Sequence, residues 1–124
     1  MSLTKPVFII GILLLSIYAC KNKPTAKHSE KKTAIYKGLY SYGAEIKSFQ
    51  PCNGKHEYWV ADSSAQLELQ YTQLSFEKQN EPVYVEVEGK RVPTAKDGPG
   101  SGYDTTLVVN KLIKLSKDIP KDCN

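Results

Sequence analysis

Pro82-Val83-Tyr84-Val85-Glu86-Val87-Glu88-Gly89 is the stretch from which the fold is read. Val83, Val85 and Val87 share one parity; Tyr84, Glu86 and Glu88 share the other. Side chains alternate between the two faces of a strand, so this segment is a strand with one buried and one wet face. The residues before it follow a different period. Leu67, Tyr71 and Leu74 recur at helical spacing. In front of them, Ser63-Ser64-Ala65-Gln66 has the form of a capping box: the Ser63 hydroxyl accepts from a free backbone N–H and Gln66 reaches back. The spacing predicts a helix from there to about Phe76 or Lys78.

Further out, 34–43 reads as a strand, with Tyr36, Gly38, Tyr40 and Tyr42 on one parity and Ile35 and Leu39 on the other. In 45–52 the apolar Ile46 and Phe49 fall on opposite parities, so a second strand there needs a bulge near Lys47-Ser48. Asn53-Gly54 signals a hairpin, and 56–61 reads as a third strand. Downstream, Gly98-Pro99-Gly100-Ser101-Gly102 marks a loop across 93–103. The last strand, 105–115, is apolar at Leu107, Val109, Ile113 and Leu115. Lys111 interrupts that face, so a bulge is expected near Asn110. The order is β-β-β-α-β-β, mainly β with one helix. That is the order of an OB fold, a five-stranded Greek-key barrel with its helix between strands three and four. Closure hides strand edges that a small domain otherwise exposes. The alternative is an open α+β sheet with the helix packed across it.

The front of the chain carries an address. Lys5 is followed by an uncharged run from Pro6 to Ala19. That run is shorter than the roughly 20 apolar residues of a bilayer-crossing helix, and its form is that of an export signal. Ile17-Tyr18-Ala19-Cys20 resembles the bacterial lipobox, with Tyr18 where a small residue is usual. The resemblance implies that 1–19 is a lipoprotein signal peptide and that Cys20, acylated, begins the mature chain. Fatty acyl chains at about 0.8 kcal/mol per buried CH₂ anchor it in the bilayer. The same resemblance, with Lys21 and not Asp after the Cys, implies the outer membrane, facing the periplasm. Residues 20–33 are Lys-rich without apolar period, a flexible tether that spans roughly 40 Å when extended. The domain is then 34–124.

Without Lys5 the mature chain has 16 basic and 13 acidic side chains, a net of +3. Lys21, Lys23, Lys27, Lys31 and Lys32 hold much of it, where a basic tail suits anionic headgroups. An exported, anchored chain is not a nucleic-acid binder. With Cys20 assigned to lipid, Cys52 and Cys123 are an even pair in an oxidising compartment, so a disulfide is expected.

Catalytic and metal chemistry find little material. A Ser-His-Asp triad needs a placed His, and of His28 and His56 the first lies in the tether. Cys52 and His56 lack the further ligands a zinc or copper site requires, so no metal and no cofactor are expected. Glu86 and Glu88 share a strand face, the one candidate for paired carboxylates. The glycine-rich loop lacks the Lys-Ser/Thr of a phosphate loop. In OB folds the loop between strands four and five borders the binding face. Tyr103 in that loop, with Tyr36, Tyr40 or Tyr42, is the candidate binding surface, a stacking patch for a sugar or a peptide.

Tyr40-Ser41-Tyr42-Gly43, Phe49-Gln50-Pro51-Cys52, Tyr58-Trp59-Val60, Pro82 to Gly89 and Cys123 together resemble the OB-fold, C-terminal-type domain of NlpE-like envelope lipoproteins. The resemblance spans about Tyr36 to Cys123. It implies the location, the fold and the Cys52–Cys123 pairing. The family's other domain carries Cys-x-x-Cys, which this sequence lacks. The resulting expectation is a non-enzymatic, lipid-anchored interaction module that binds an envelope protein or a glycan. The second reading is an accessory in envelope stress or copper response; the third is a small hydrolase using Glu86 and Glu88.

Overall fold

Five strands, one short helix and a terminal 3₁₀ turn make up residues 32–123, the part of the chain that the computed structural model describes. The leader 1–19, Cys20 and the tether to residue 31 lie outside the described residues. β1 is Ala34–Tyr42, β2 Lys47–Pro51, β3 Tyr58–Asp62, α1 Gln66–Thr72, β4 Val83–Pro93 and β5 Thr105–Ser116; the turn is Lys121–Cys123. The strands close in the order β1-β2-β3-β5-β4, with β4 paired back onto β1. Neighbours are antiparallel except β3 and β5, which run parallel. This is the OB-like barrel, and its closure excludes the open sheet.

The valine alternation of β4 does what its period requires. Val83, Val85 and Val87 point inward and are fully buried with Tyr40, Phe49, Val60, Leu107 and Val109, while α1 adds Leu67 and Tyr71. The other face of β4 is drier than alternation alone implies. Tyr84 is buried, with the Lys114 ammonium 5.9 Å from its ring centroid. Glu86 pairs with Lys37 at 3.3 Å and stands opposite Lys114 on β5.

β5 bends around β4 through two irregularities. The register steps from Glu88↔Lys111 to Gly89↔Val109, leaving Asn110 as the extra residue where a bulge was expected. A second step, between Glu86↔Lys114 and Val87↔Leu112, leaves Ile113 extra. Each step reverses parity. Leu112 and Leu115 therefore pack against the core, and Ile113 is turned out, 47% exposed. Gly89 sits at the first step, where a Cβ would run into the Val108 carbonyl oxygen. Only a residue without a side chain lets the two backbones approach this closely.

Four local expectations are corrected. β1 and β2 pair without interruption from Tyr42↔Lys47 to Gly38↔Pro51, so β2 has no bulge at Lys47-Ser48. Ile46 instead lies in the connection, where its carbonyl accepts from Gly43 N–H at 2.8 Å. Asn53-Gly54 does not make a two-residue hairpin: Gly54 N–H closes a turn on Pro51 O at 3.1 Å, and β3 begins only at Tyr58. The Ser63 capping box does not form: Ala65 holds the N-cap position without a side-chain cap, and side chains ahead of it take the first-turn N–H groups. Asp62 Oδ2 accepts from Glu68 N–H at 3.0 Å, and Ser64 Oγ accepts from Gln66 N–H at 3.1 Å. A carboxylate before the first turn satisfies free N–H groups and opposes the positive helix end. The helix stops at Thr72, and Leu74 and Phe76 fold back onto the core.

Tyr40 is fully buried, and its hydroxyl has no hydrogen-bond partner among the described residues. Burial, followed by the charges of Glu68 and Asp62, pushes its pKa far above the ordinary 10.0. A group whose folded pKa is raised gives stability that is complete below the unfolded value and is lost as pH climbs toward the folded one. Tyr40→Phe is therefore expected to leave neutral-pH stability unchanged or raise it by about 1 kcal/mol. It should also flatten the loss of stability above pH ~10. Urea melts from pH 8 to 11 check this; an unchanged alkaline limb in the variant contradicts it.

Candidate functional site

A groove of about 690 Å³ opens on the barrel wall where three segments meet. Ala44, Glu45 and Lys47 come from the end of the β1–β2 connection and the start of β2. Trp59, Val60 and Ala61 of β3 form the floor. Pro99 and Gly100 of the β4–β5 loop form the far rim. The groove exists because β2 and β3 pair only at Ser48↔Trp59 and Phe49↔Tyr58. Beyond Trp59 the two strands part.

Trp59 organises the far side. Strand parity sends Val60 into the core, leaving Trp59 half-buried on the other face. The β4–β5 loop lies on the indole. A Cβ at Gly100 would fall 2.5 Å from the indole ring atoms, and the φ of 85° there is one that side chains disfavour. Tyr103 packs against the same indole at 5.7 Å between centroids. Successive turns, Ser101 N–H to Gly98 O at 3.3 Å and Tyr103 N–H to Gly100 O at 2.9 Å, shape the glycine-rich segment. Thr94 N–H to Asp104 O, at 3.2 Å, ties its neck. Of the glycines read as a loop in the sequence, Gly100 is the one that fits closely over the tryptophan.

The near rim is charged. Lys47 Nζ lies 2.9 Å from Glu68 Oε1 and 5.7 Å from the Tyr42 ring centroid. Its hydrogen bond to Glu68 holds its pKa above the ordinary lysine value. Glu45, exposed, is in no ion pair among the described residues.

The four candidate tyrosines do not form one patch. Tyr40 is core, with Tyr71 edge-on at 5.5 Å, and so contributes no surface. Tyr42 stacks beside it and packs on the same cluster. Tyr36 lies instead by Arg91, whose guanidinium donates to Tyr58 OH at 3.3 Å. None of the four lines the groove directly: Tyr103 stands behind Trp59 on one side and Tyr42 behind Lys47 on the other. The residue that sequence reasoning missed is Trp59; its signal was that the chain's single tryptophan falls on the strand parity opposite the apolar Val60.

His56 is exposed in the β2–β3 connection, beside Arg91 and Asp104 in a shallow cleft of about 310 Å³. Cys52 is bonded to Cys123, so its thiol is not open to a metal. Among the described residues no three His, Cys, Asp or Glu side chains gather in a metal-holding group. Glu88 stands between Ile35 and Lys111, as Glu86 does between Lys37 and Lys114.

A family model described as the NlpE C-terminal OB domain matches residues 30–124. No curated protein and no solved structure matches the chain.

Proposed function

The chain belongs to the NlpE C-terminal OB domain family, and from that premise we propose that it is a lipid-anchored lipoprotein whose barrel is a non-enzymatic binding module. Family membership makes it an NlpE-like envelope protein; the anchor, the outer-membrane address facing the periplasm and the binding role are our reading. The anchor rests on the Ile17-Tyr18-Ala19-Cys20 signature. Charge agrees with it: residues 34–123 hold 11 Lys and Arg against 12 Asp and Glu, so the chain's basic excess lies ahead of the barrel. No helix among the described residues is long and apolar enough to cross a membrane.

The observation that carries the binding role is the groove itself. OB folds bind between the β1–β2 and β4–β5 loops, and here those loops flank an aromatic floor residue. Apolar pockets with a few placed polar groups are the usual form of a binding site. A photocrosslinking residue at Ala44, in intact envelopes, is expected to yield one discrete adduct. The same residue at the outward Ile113 should yield none, and Trp59→Ala or Tyr103→Ala should abolish the Ala44 adduct. Equal labelling from both positions overturns the reading. Intact-mass analysis tests the anchor: the expected species begins at Cys20 and carries acyl mass, and an unacylated chain contradicts it.

A further inference from the structure

We infer that the groove takes an extended segment of a partner polypeptide, laid beside β3 as an added strand with a basic side chain at Glu45. This rests on the binding-module reading above. β3 is paired with β5 along Trp59 to Asp62. On its other side the ladder to β2 ends at Trp59, so Val60 and Ala61 face the β1–β2 connection across the groove with no strand between. A strand lacking a ladder partner on one side is a template for another chain.

The lining selects among ligand classes. Ala44, Val60, Ala61, Pro99 and Gly100 carry no polar side-chain group, and the polar side chains that line the groove, Glu45 and Lys47, stand together at one rim. Gly100 already lies against the indole of Trp59. An apolar side chain suits this floor better than a sugar ring does. Charge then sets polarity. Lys47 is neutralised by Glu68, whereas Glu45 has no ion pair among the described residues. The groove therefore favours a segment carrying Lys or Arg over one carrying Asp or Glu.

The test uses the full chain in detergent. Trp59 is its single tryptophan, so intrinsic fluorescence reports on the groove. The probes are blocked nonapeptides of alternating Leu and Ser with one central Arg, the same peptides with Glu for Arg, the Arg peptides N-methylated at alternate amides, and a chitin oligosaccharide. The Arg peptide should saturate the signal and bind about threefold tighter than the Glu peptide. Glu45→Gln, in an exposed connection, should erase that preference and leave the thermal melt unchanged. N-methylation should weaken binding by about tenfold, because ladder hydrogen bonds are lost. Equal binding of methylated and unmethylated peptides, no charge preference in the unaltered chain, or saturation by the oligosaccharide alone each overturns the inference. If no probe moves the fluorescence while the Ala44 crosslink still depends on Trp59, the peptide inference fails and the module stands. If that crosslink is also absent, both fail.

Discussion

Replacing Cys52 and Cys123 by Ser, or reducing the bond between them, is expected to cost the domain about 4 kcal/mol. The bridge closes a sequence separation of 71 residues, a loop that holds β3, α1, β4 and β5. A cross-link of that span removes much of the freedom of the unfolded chain, and the effect grows with loop length. It also fixes the last described turn: Cys123 is buried, and its N–H donates to Pro120 O at 3.0 Å. For a domain with net stability of about 5–15 kcal/mol the loss is a large share. At about 4–8 °C per kcal/mol for this size, the melting temperature should fall by roughly 15–30 °C. Melts with and without reductant, together with the double Ser variant, measure it. A fall of less than ~5 °C in both would show that the bridge does not constrain the unfolded chain as its span requires.

The second large effect is expected at α1. Leu67→Ala should destabilise by about 3 kcal/mol, whereas Leu69→Ala on the same helix should change stability by less than ~0.5 kcal/mol. Leu67 is wholly buried in the core cluster, and Leu69 is 49% exposed. A helix of seven residues is too short to hold itself in water, so it persists through what it packs against. Leu67 and Tyr71 are its buried pair, and Tyr71 is further held by its hydroxyl donating to Glu81 O at 2.7 Å. Truncating Leu67 removes apolar contact and leaves a cavity under an element with little else to keep it in place. Urea midpoints of the two variants decide it. Equal losses would mean that the helix does not close the barrel through Leu67.

Much of this architecture was legible beforehand because its causes are local. The valines at 83, 85 and 87 state their own parity, and the change of period at Leu67 separates helix from strand. The bulge at Asn110 was readable because Lys111 broke an otherwise apolar face. The candidate site was less legible. Tyr40 and Tyr103 look alike in sequence, yet one packs on Tyr71 inside the barrel and the other against Trp59. Which tyrosine is surface depends on partners 31 and 44 residues away along the chain, respectively.

From residue order alone came the succession of strands and helix, the inward valines and the paired cysteines. Each follows from short-range periodicity, composition or motif. The closed barrel was required to decide that Ile113 turns outward, that Gly100 lies on Trp59 and that β2 and β3 part after two residue pairs. Those outcomes depend on how strands distant in sequence meet, because a one-residue shift in register exchanges the two faces of a strand.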